Sequence, residues 1–155
     1  MAFNRNQFEE LITEVLNDLG LHSLSAVNLL LGTAAQESRF GTYLRQINGP
    51  ALGAFQMEST TEEDIWRNYL RSHYNIRWLV VRSTLISVPT PEALVWNLAY
   101  GIAMARIKYY RAPDPLPAPD DIQGLASYWK KGYNTYKGKG RVEEFMENYQ
   151  RFVLQ

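Results

Sequence analysis

The stretch LLLGTAAQESRFG, from Leu29 to Gly41, joins the most apolar run of the chain to a short charged sequence. Residues 24–37 are apolar or small on nearly every side, which predicts a central, buried helix. Glu37 falls at the C-terminal end of that helix. Burial and the negative pole of the helix dipole would both raise the pKa of its carboxyl, as a general acid requires. The alternative is that the helix end frays and Glu37 is an ordinary surface charge.

Other segments with helical periodicity surround this one. From Phe8 to Leu19 the apolar residues recur on one side, and Gly20 ends that helix. Within a later helix, Gly101 predicts close packing of a neighbouring backbone. A strand is an alternative for the β-branched segment 76–86. The later helices are predicted from Thr60 or Thr61 to residue 73, then over 76–86, 90–111, 122–131 and 142–153.

Composition limits the classes of function. The 155-residue chain is long enough for one domain, and its 16 basic and 16 acidic residues provide no broad positive field for nucleic acid. There is no cysteine, and His22 and His73 are isolated, so we expect no metal and no cofactor. The N-terminus lacks the apolar core of a signal peptide, and no apolar run could span a bilayer. We therefore expect a protein made in the cytoplasm without membrane insertion. From its small size and zero net charge we expect a monomer.

Residues 40–57 contain three glycines and a proline and are predicted to form a loop, with at most a small β-hairpin near residues 42–57. Gln56 and Glu58 lie at the end of this glycine-rich loop, and an amide beside a carboxyl group suits a sugar hydroxyl or an acetamido group. The alternative is that the glycines serve turn geometry only.

Four motifs in a fixed order carry a resemblance. They are Glu37-Ser38 before Phe-Gly, ALGAFQM at 51–57, NLAYGIAM at 97–104 and YNTYKGKGRVEEF at 133–145. This order resembles the lytic transglycosylase (SLT) family of lysozyme-like, peptidoglycan-cleaving enzymes. The segments GPALGAFQMEST at 49–60 and DIWRNYL at 64–70 are similar to the phage-encoded branch of that family. The resemblance covers about residues 24–150. It implies a mainly α, lysozyme-like single domain over residues 1–155.

The resemblance also implies site residues. Glu37 matches the catalytic acid/base, and Ser38 matches the serine that supports it or contacts substrate. Gln56 matches a glutamine that lines the sugar cleft. Tyr133 and Asn134 match the pair that faces the acid and positions the sugar with its N-acetyl group.

The chain departs from the family pattern at two places. Phe55 stands where the family has Met, which keeps an apolar wall, and the glycine after the Tyr-Asn pair is displaced to Gly138. Asn97 and Gly101 match helix residues that pack behind the site. Trp129, close to the Tyr-Asn pair, is a candidate for stacking on a sugar.

The implied reaction needs one carboxyl group. Glu37 would protonate the oxygen of the β-1,4 MurNAc-GlcNAc bond and then act as base on the 6-hydroxyl, which leaves a 1,6-anhydro end. If Glu58 or Asp64 held a water opposite Glu37, the protein would instead be a hydrolytic muramidase (an endolysin). A third alternative is a non-catalytic phage or virion structural protein that binds glycan.

The expected partners are peptidoglycan glycan strands and other phage virion or lysis proteins. The enzyme would reach the periplasmic cell wall after release through a lysis pore or as a virion component. Several basic residues lie between Lys130 and Arg141. They could attract anionic wall peptides or form a solvated loop.

Overall fold

The computed structural model describes residues 1–135 and 137–155, and the described residues form a mainly helical single domain. A 3₁₀ turn covers Leu70–Ser72 and a π-helical turn covers Lys130–Asn134. The α-helices are α1 Arg5–Asp18, α2 Leu24–Ser38, α3 Ser59–Asn68, α4 Tyr74–Thr84, α5 Ala93–Trp96, α6 Leu98–Tyr110, α7 Ile122–Trp129 and α8 Val142–Phe152.

Helix α2 is the centre of the fold. Ser23 caps it by accepting a hydrogen bond from the backbone N–H of Ala26, and most of its residues are buried. It packs against α1, α6, α7 and α8. At Gly32 any Cβ would collide with the ring of Phe145 in α8, so this glycine permits the close approach of the two helices. The prediction of a central, buried helix over this stretch is confirmed.

The end of α2 is a sharp turn. Arg39, Phe40 and Gly41 all have positive φ angles, of 49°, 58° and 80°. The Phe40 ring then enters the core, edge-on to Phe8 at 5.3 Å and stacked on Phe152 at 6.2 Å between ring centroids. The Phe-Gly pair therefore ends the helix and also fixes the turn to the core.

The glycine-rich segment is a loop with very little pairing. Its backbone forms two isolated antiparallel bridges, one between Arg45 and Leu52 and one between Leu52 and Met57. The expectation of at most a small hairpin is confirmed. Gly53 has a φ of 82° and lies directly against the carbonyl of Leu94 in α5.

Two predicted helix boundaries are wrong. The helix expected over 90–111 is divided at Asn97, whose backbone is extended (φ −115°, ψ 95°). Asn97 stabilises the break by accepting from the Tyr100 N–H and donating to the Thr84 carbonyl. Helix α3 begins at Ser59, before the predicted start at Thr60 or Thr61, and its N-cap residue Glu58 forms no side-chain capping hydrogen bond.

The structure also decides two alternatives, the conformation of segment 76–86 and the packing at Gly101. The β-branched segment forms a helix, α4, and not the alternative strand. The close backbone contact predicted at Gly101 is absent. A Cβ there would lie 3.6 Å from the Phe55 ring and 3.8 Å from the Leu94 carbonyl oxygen, which are ordinary contacts.

Candidate active site

A cleft of about 600 Å³ opens at the C-terminal end of α2. Its walls come from the loop around residues 46–58, from α6, and from residues 133–134 and 137–140. Amides, carboxylates and lysines dominate the lining, so the cleft suits a ligand rich in hydroxyl and amide groups. The side chains that matter most below are Glu37, Gln56, Glu58, Lys108, Tyr133 and Asn134.

Glu37 lies in the last turn of α2, with most of its side chain buried. Its Oε2 accepts a hydrogen bond of 3.0 Å from the Trp129 indole N–H. Burial raises the pKa of Glu37 from its ordinary 4.5 to about 7, while the Trp129 bond and the Lys108 charge act in the opposite direction. Near neutral pH this carboxyl can therefore both donate and accept a proton. The predicted direction of the shift is confirmed.

Lys108 of α6 is the cation of the cleft that sequence reasoning missed. Its ammonium donates to the Tyr133 carbonyl at 2.9 Å and lies 4.1 Å from the centre of the Tyr133 ring. Burial lowers the pKa of Lys108, whereas the charges of Glu37 and Glu58 favour its protonated form. The available signal was the presence of two cations, Arg106 and Lys108, in a helix whose other residues are apolar, aromatic or glycine.

Tyr133 and Asn134 both line the cleft, as predicted, but on a different backbone. The helix predicted over 122–131 ends before the pair, whereas in the structure the pair ends a π-helical turn that continues α7. Such turns are frequent at functional sites. The Tyr133 hydroxyl donates to the Phe55 carbonyl at 2.7 Å, and Asn134 Oδ1 accepts from Lys130 Nζ at 2.6 Å.

Trp129 and Phe55 do not have the roles predicted for them. Trp129 is fully buried and so cannot stack on a sugar; its indole N–H holds Glu37 instead. The Phe55 ring is also buried, packed against the Phe8 ring at 6.1 Å, and only its backbone carbonyl serves the site by accepting from Tyr133. The sequence predicts both aromatic rings on the cleft because it shows which residues are neighbours along the chain. It does not show the direction in which a side chain points.

Ser38 is fully buried, so contact with substrate is excluded. Its hydroxyl donates to the Ala34 carbonyl at 3.1 Å and accepts from the Gly41 N–H at 2.8 Å. Ser38 therefore stabilises the end of α2 and supports Glu37 only through the backbone.

The two acids proposed as partners of Glu37, Glu58 and Asp64, lie in different places in the structure. Glu58 lines the cleft, as does Gln56, whose amide nitrogen donates to the Gly53 carbonyl at 3.0 Å. Asp64 lies outside the cleft lining and forms an ion pair of 2.8 Å with Arg111. Of the two acids, Glu58 is therefore the one that could hold a water in the cleft, where Glu144 is a further carboxylate.

The basic segment after α7 has two parts. Lys130 Nζ donates to Asn134 Oδ1 and to the carbonyls of Gly138 and Gly140, so it organises the loop. Lys137 and Lys139 line the cleft. Part of this segment is thus available to an anionic ligand group.

Within residues 1–135 and 137–155, no cluster of three or more His, Asp or Glu side chains could hold a metal ion. In the same part of the chain, no helix has both the length and the apolar character needed to cross a membrane. Searches among protein families, curated proteins and solved structures find no match to this chain.

Proposed function

We propose that the protein cleaves the β-1,4 MurNAc-GlcNAc bond of peptidoglycan as a lytic transglycosylase, with Glu37 as its general acid and base. The observation that carries the proposal is the mostly buried carboxyl of Glu37 at the wall of an open polar cleft, whose pKa burial raises to about 7. The order of motifs around Glu37 supports the same class of reaction.

The geometry supports a proton-transfer cycle. Protonated Glu37 donates to the glycosidic oxygen while the Trp129 N–H keeps its carboxyl group oriented. The carboxylate that results is stabilised by this hydrogen bond and by the nearby Lys108 charge. The substrate's N-acetyl group stabilises the sugar centre, and Glu37 then removes the proton of the 6-hydroxyl, which closes the anhydro ring.

The cleft offers complementary groups for a glycan with peptide stems. Amides of Gln56 and Asn134 suit acetamido groups and hydroxyls, and Lys137 and Lys139 suit carboxylates. This combination favours peptidoglycan over a neutral polysaccharide.

The direct test is digestion of purified peptidoglycan sacculi, followed by turbidity and by mass spectrometry of the products. The proposal expects clearing and 1,6-anhydro-MurNAc ends. Reducing ends would identify a muramidase, and sacculi that bind the protein without being cleaved would identify a glycan-binding structural protein.

The Glu58→Gln variant tests the one-carboxylate mechanism. Because the cycle above gives Glu58 no proton to transfer, we expect the cleavage rate to stay within about tenfold of wild type, a smaller loss than a general acid or base causes. Product analysis should still show anhydro ends. A loss of about a thousandfold, with reducing ends in the wild type, would assign Glu58 as the base of a hydrolase.

The Lys108→Met variant tests the electrostatic setting of Glu37. Removal of this positive charge should raise the pKa of Glu37 further, because the charge now acts to lower it. The alkaline limb of the pH profile of kcat/KM should therefore move to higher pH. An unchanged limb would contradict the coupling of the two groups.

A further inference from the structure

Helix α4 presents large apolar side chains to solvent. Tyr74 and Trp78 are 74% and 59% exposed, and Leu85, just after the helix, is 85% exposed. Tyr74 and Trp78 are one helical turn apart and so lie on one side of α4, and Leu85 follows at the end of the helix; these three side chains are called the stripe below. The other side of α4 is anchored in the fold by buried Val80 and Thr84. The exposed stripe is therefore a rigid feature of the surface.

Arginines surround this stripe. Helical geometry puts Arg77 on one side of it and Arg82 on the other, and Arg71 precedes the helix. Among the described residues, none of these three arginines forms an ion pair with a carboxylate. The Arg82 guanidinium lies 5.0 Å from the centre of the Trp78 ring.

The local charge is unusual for a chain whose formal net charge is zero. No acidic residue occurs between Asp64 and Glu92 in the sequence, although four arginines do. Arg67 alone among them has a carboxylate partner, Glu63, within the described residues. The three arginines around the stripe therefore carry charges that no ion pair within the described residues neutralises.

A cavity of about 260 Å³ shares Arg71 and Arg77 with this surface. Its lining also includes Arg67, which is paired with Glu63, and the apolar Trp66, Val88 and Pro89. Guanidinium groups bind phosphate in a bidentate manner, and an apolar floor beside them suits the glycerol and first methylenes of a lipid.

We propose that this face, made of Tyr74, Trp78, Leu85, Arg71, Arg77 and Arg82, docks on the surface of an anionic phospholipid bilayer. Exposed rings and a leucine flanked by arginines match the boundary between headgroups and acyl chains. A soluble polyanion would use the arginines and leave the apolar stripe in water. Docking of this kind is peripheral and independent of the cleft, so it does not depend on the proposed function.

The test is co-sedimentation of the full chain with vesicles of phosphatidylglycerol and phosphatidylcholine, compared with phosphatidylcholine alone. We expect binding to the anionic vesicles that weakens as salt is raised. Trp78→Ala should weaken binding about tenfold through lost apolar burial. Arg77→Ser and Arg82→Ser should each weaken it about fivefold.

Arg151→Ser is the matched control, since it removes the same charge from an exposed position on α8. Its binding should stay within about twofold of wild type, and circular dichroism should show that every variant is folded. Equal binding by wild type and Trp78→Ala would overturn the proposal. So would absence of vesicle binding, equally strong binding to soluble polyphosphate, or dimer formation that Trp78→Ala abolishes.

Discussion

The Glu37→Gln variant should lose about a thousandfold or more of the rate of peptidoglycan cleavage, which is within the range for removal of a general acid and base. Glutamine keeps the shape of the side chain and can still accept the hydrogen bond from the Trp129 indole. It cannot donate a proton to a leaving oxygen. The rate of release of soluble muropeptides measures the effect, and a variant with wild-type activity would remove Glu37 from the mechanism.

The same variant should be more stable than wild type at alkaline pH. The Glu37 pKa is about 7 in the folded protein against an ordinary 4.5, so the folded state favours the protonated carboxyl. The associated stability is fully present below pH 4.5 and is lost as the pH rises through 7. A shift of this size corresponds to about 3 kcal/mol. Glutamine does not ionise and avoids the loss.

Urea unfolding at pH 8.5 and at pH 4 measures this difference. The gain in the free energy of unfolding should appear at pH 8.5 and largely vanish at pH 4. Glu14→Gln is the matched control, because Glu14 is an exposed carboxylate on α1 and its replacement should change stability by less than about 0.5 kcal/mol. Equal stability of Glu37→Gln and wild type at both pH values would contradict the raised pKa.

Replacement of Gly53 by alanine should destabilise the protein by about 3 kcal/mol or more. Gly53 has a φ of 82°, and a Cβ there would lie well inside 3.0 Å of the Leu94 carbonyl oxygen, a backbone atom that cannot move freely. The positive φ and the overlap both oppose a side chain. Because the Gly53 carbonyl also holds the Gln56 amide, the cleft wall should be disturbed as well. Urea unfolding measures the loss.

Gly101→Ala provides a sharp control, since its new Cβ would face the same Leu94 carbonyl oxygen at 3.8 Å. That distance is an ordinary contact, and alanine is favoured over glycine inside a helix by about 1 kcal/mol. The control should therefore be as stable as wild type or more stable. Similar effects of the two substitutions would show that α5 does not pack against the loop as described.

Periodicity and end signals predicted most of the fold. The apolar character of α2 and the Phe-Gly end placed Glu37 at the close of a buried helix, which is where it lies. The break at Asn97 could not be predicted, because no glycine or proline stands next to Asn97 in the sequence. The break depends on a hydrogen bond from Asn97 to the Thr84 carbonyl. A long-range contact of this kind leaves no periodic signal.

The sequence predicted several residues of the candidate site correctly, but it predicted their roles less well. Tyr133 and Asn134 were placed correctly on the cleft, but the π-helical turn that carries them has no simple sequence signature. The sequence predicts Trp129 as a sugar-stacking residue because it is close to the Tyr-Asn pair. Its burial results from the packing of α7 on α8, which the local sequence does not show. Lys108 was missed because its partner is a backbone carbonyl 25 positions further along the chain.

The hydrogen bond between Glu37 and Trp129 joins residues that are 92 positions apart. During synthesis, the ribosome completes the helix that carries the acid long before the indole that orients it has been translated. A nascent or truncated chain would therefore carry the carboxyl in an ordinary aqueous setting, without the environment that adjusts its proton affinity. The raised pKa of Glu37 would therefore arise late, together with the completed tertiary structure.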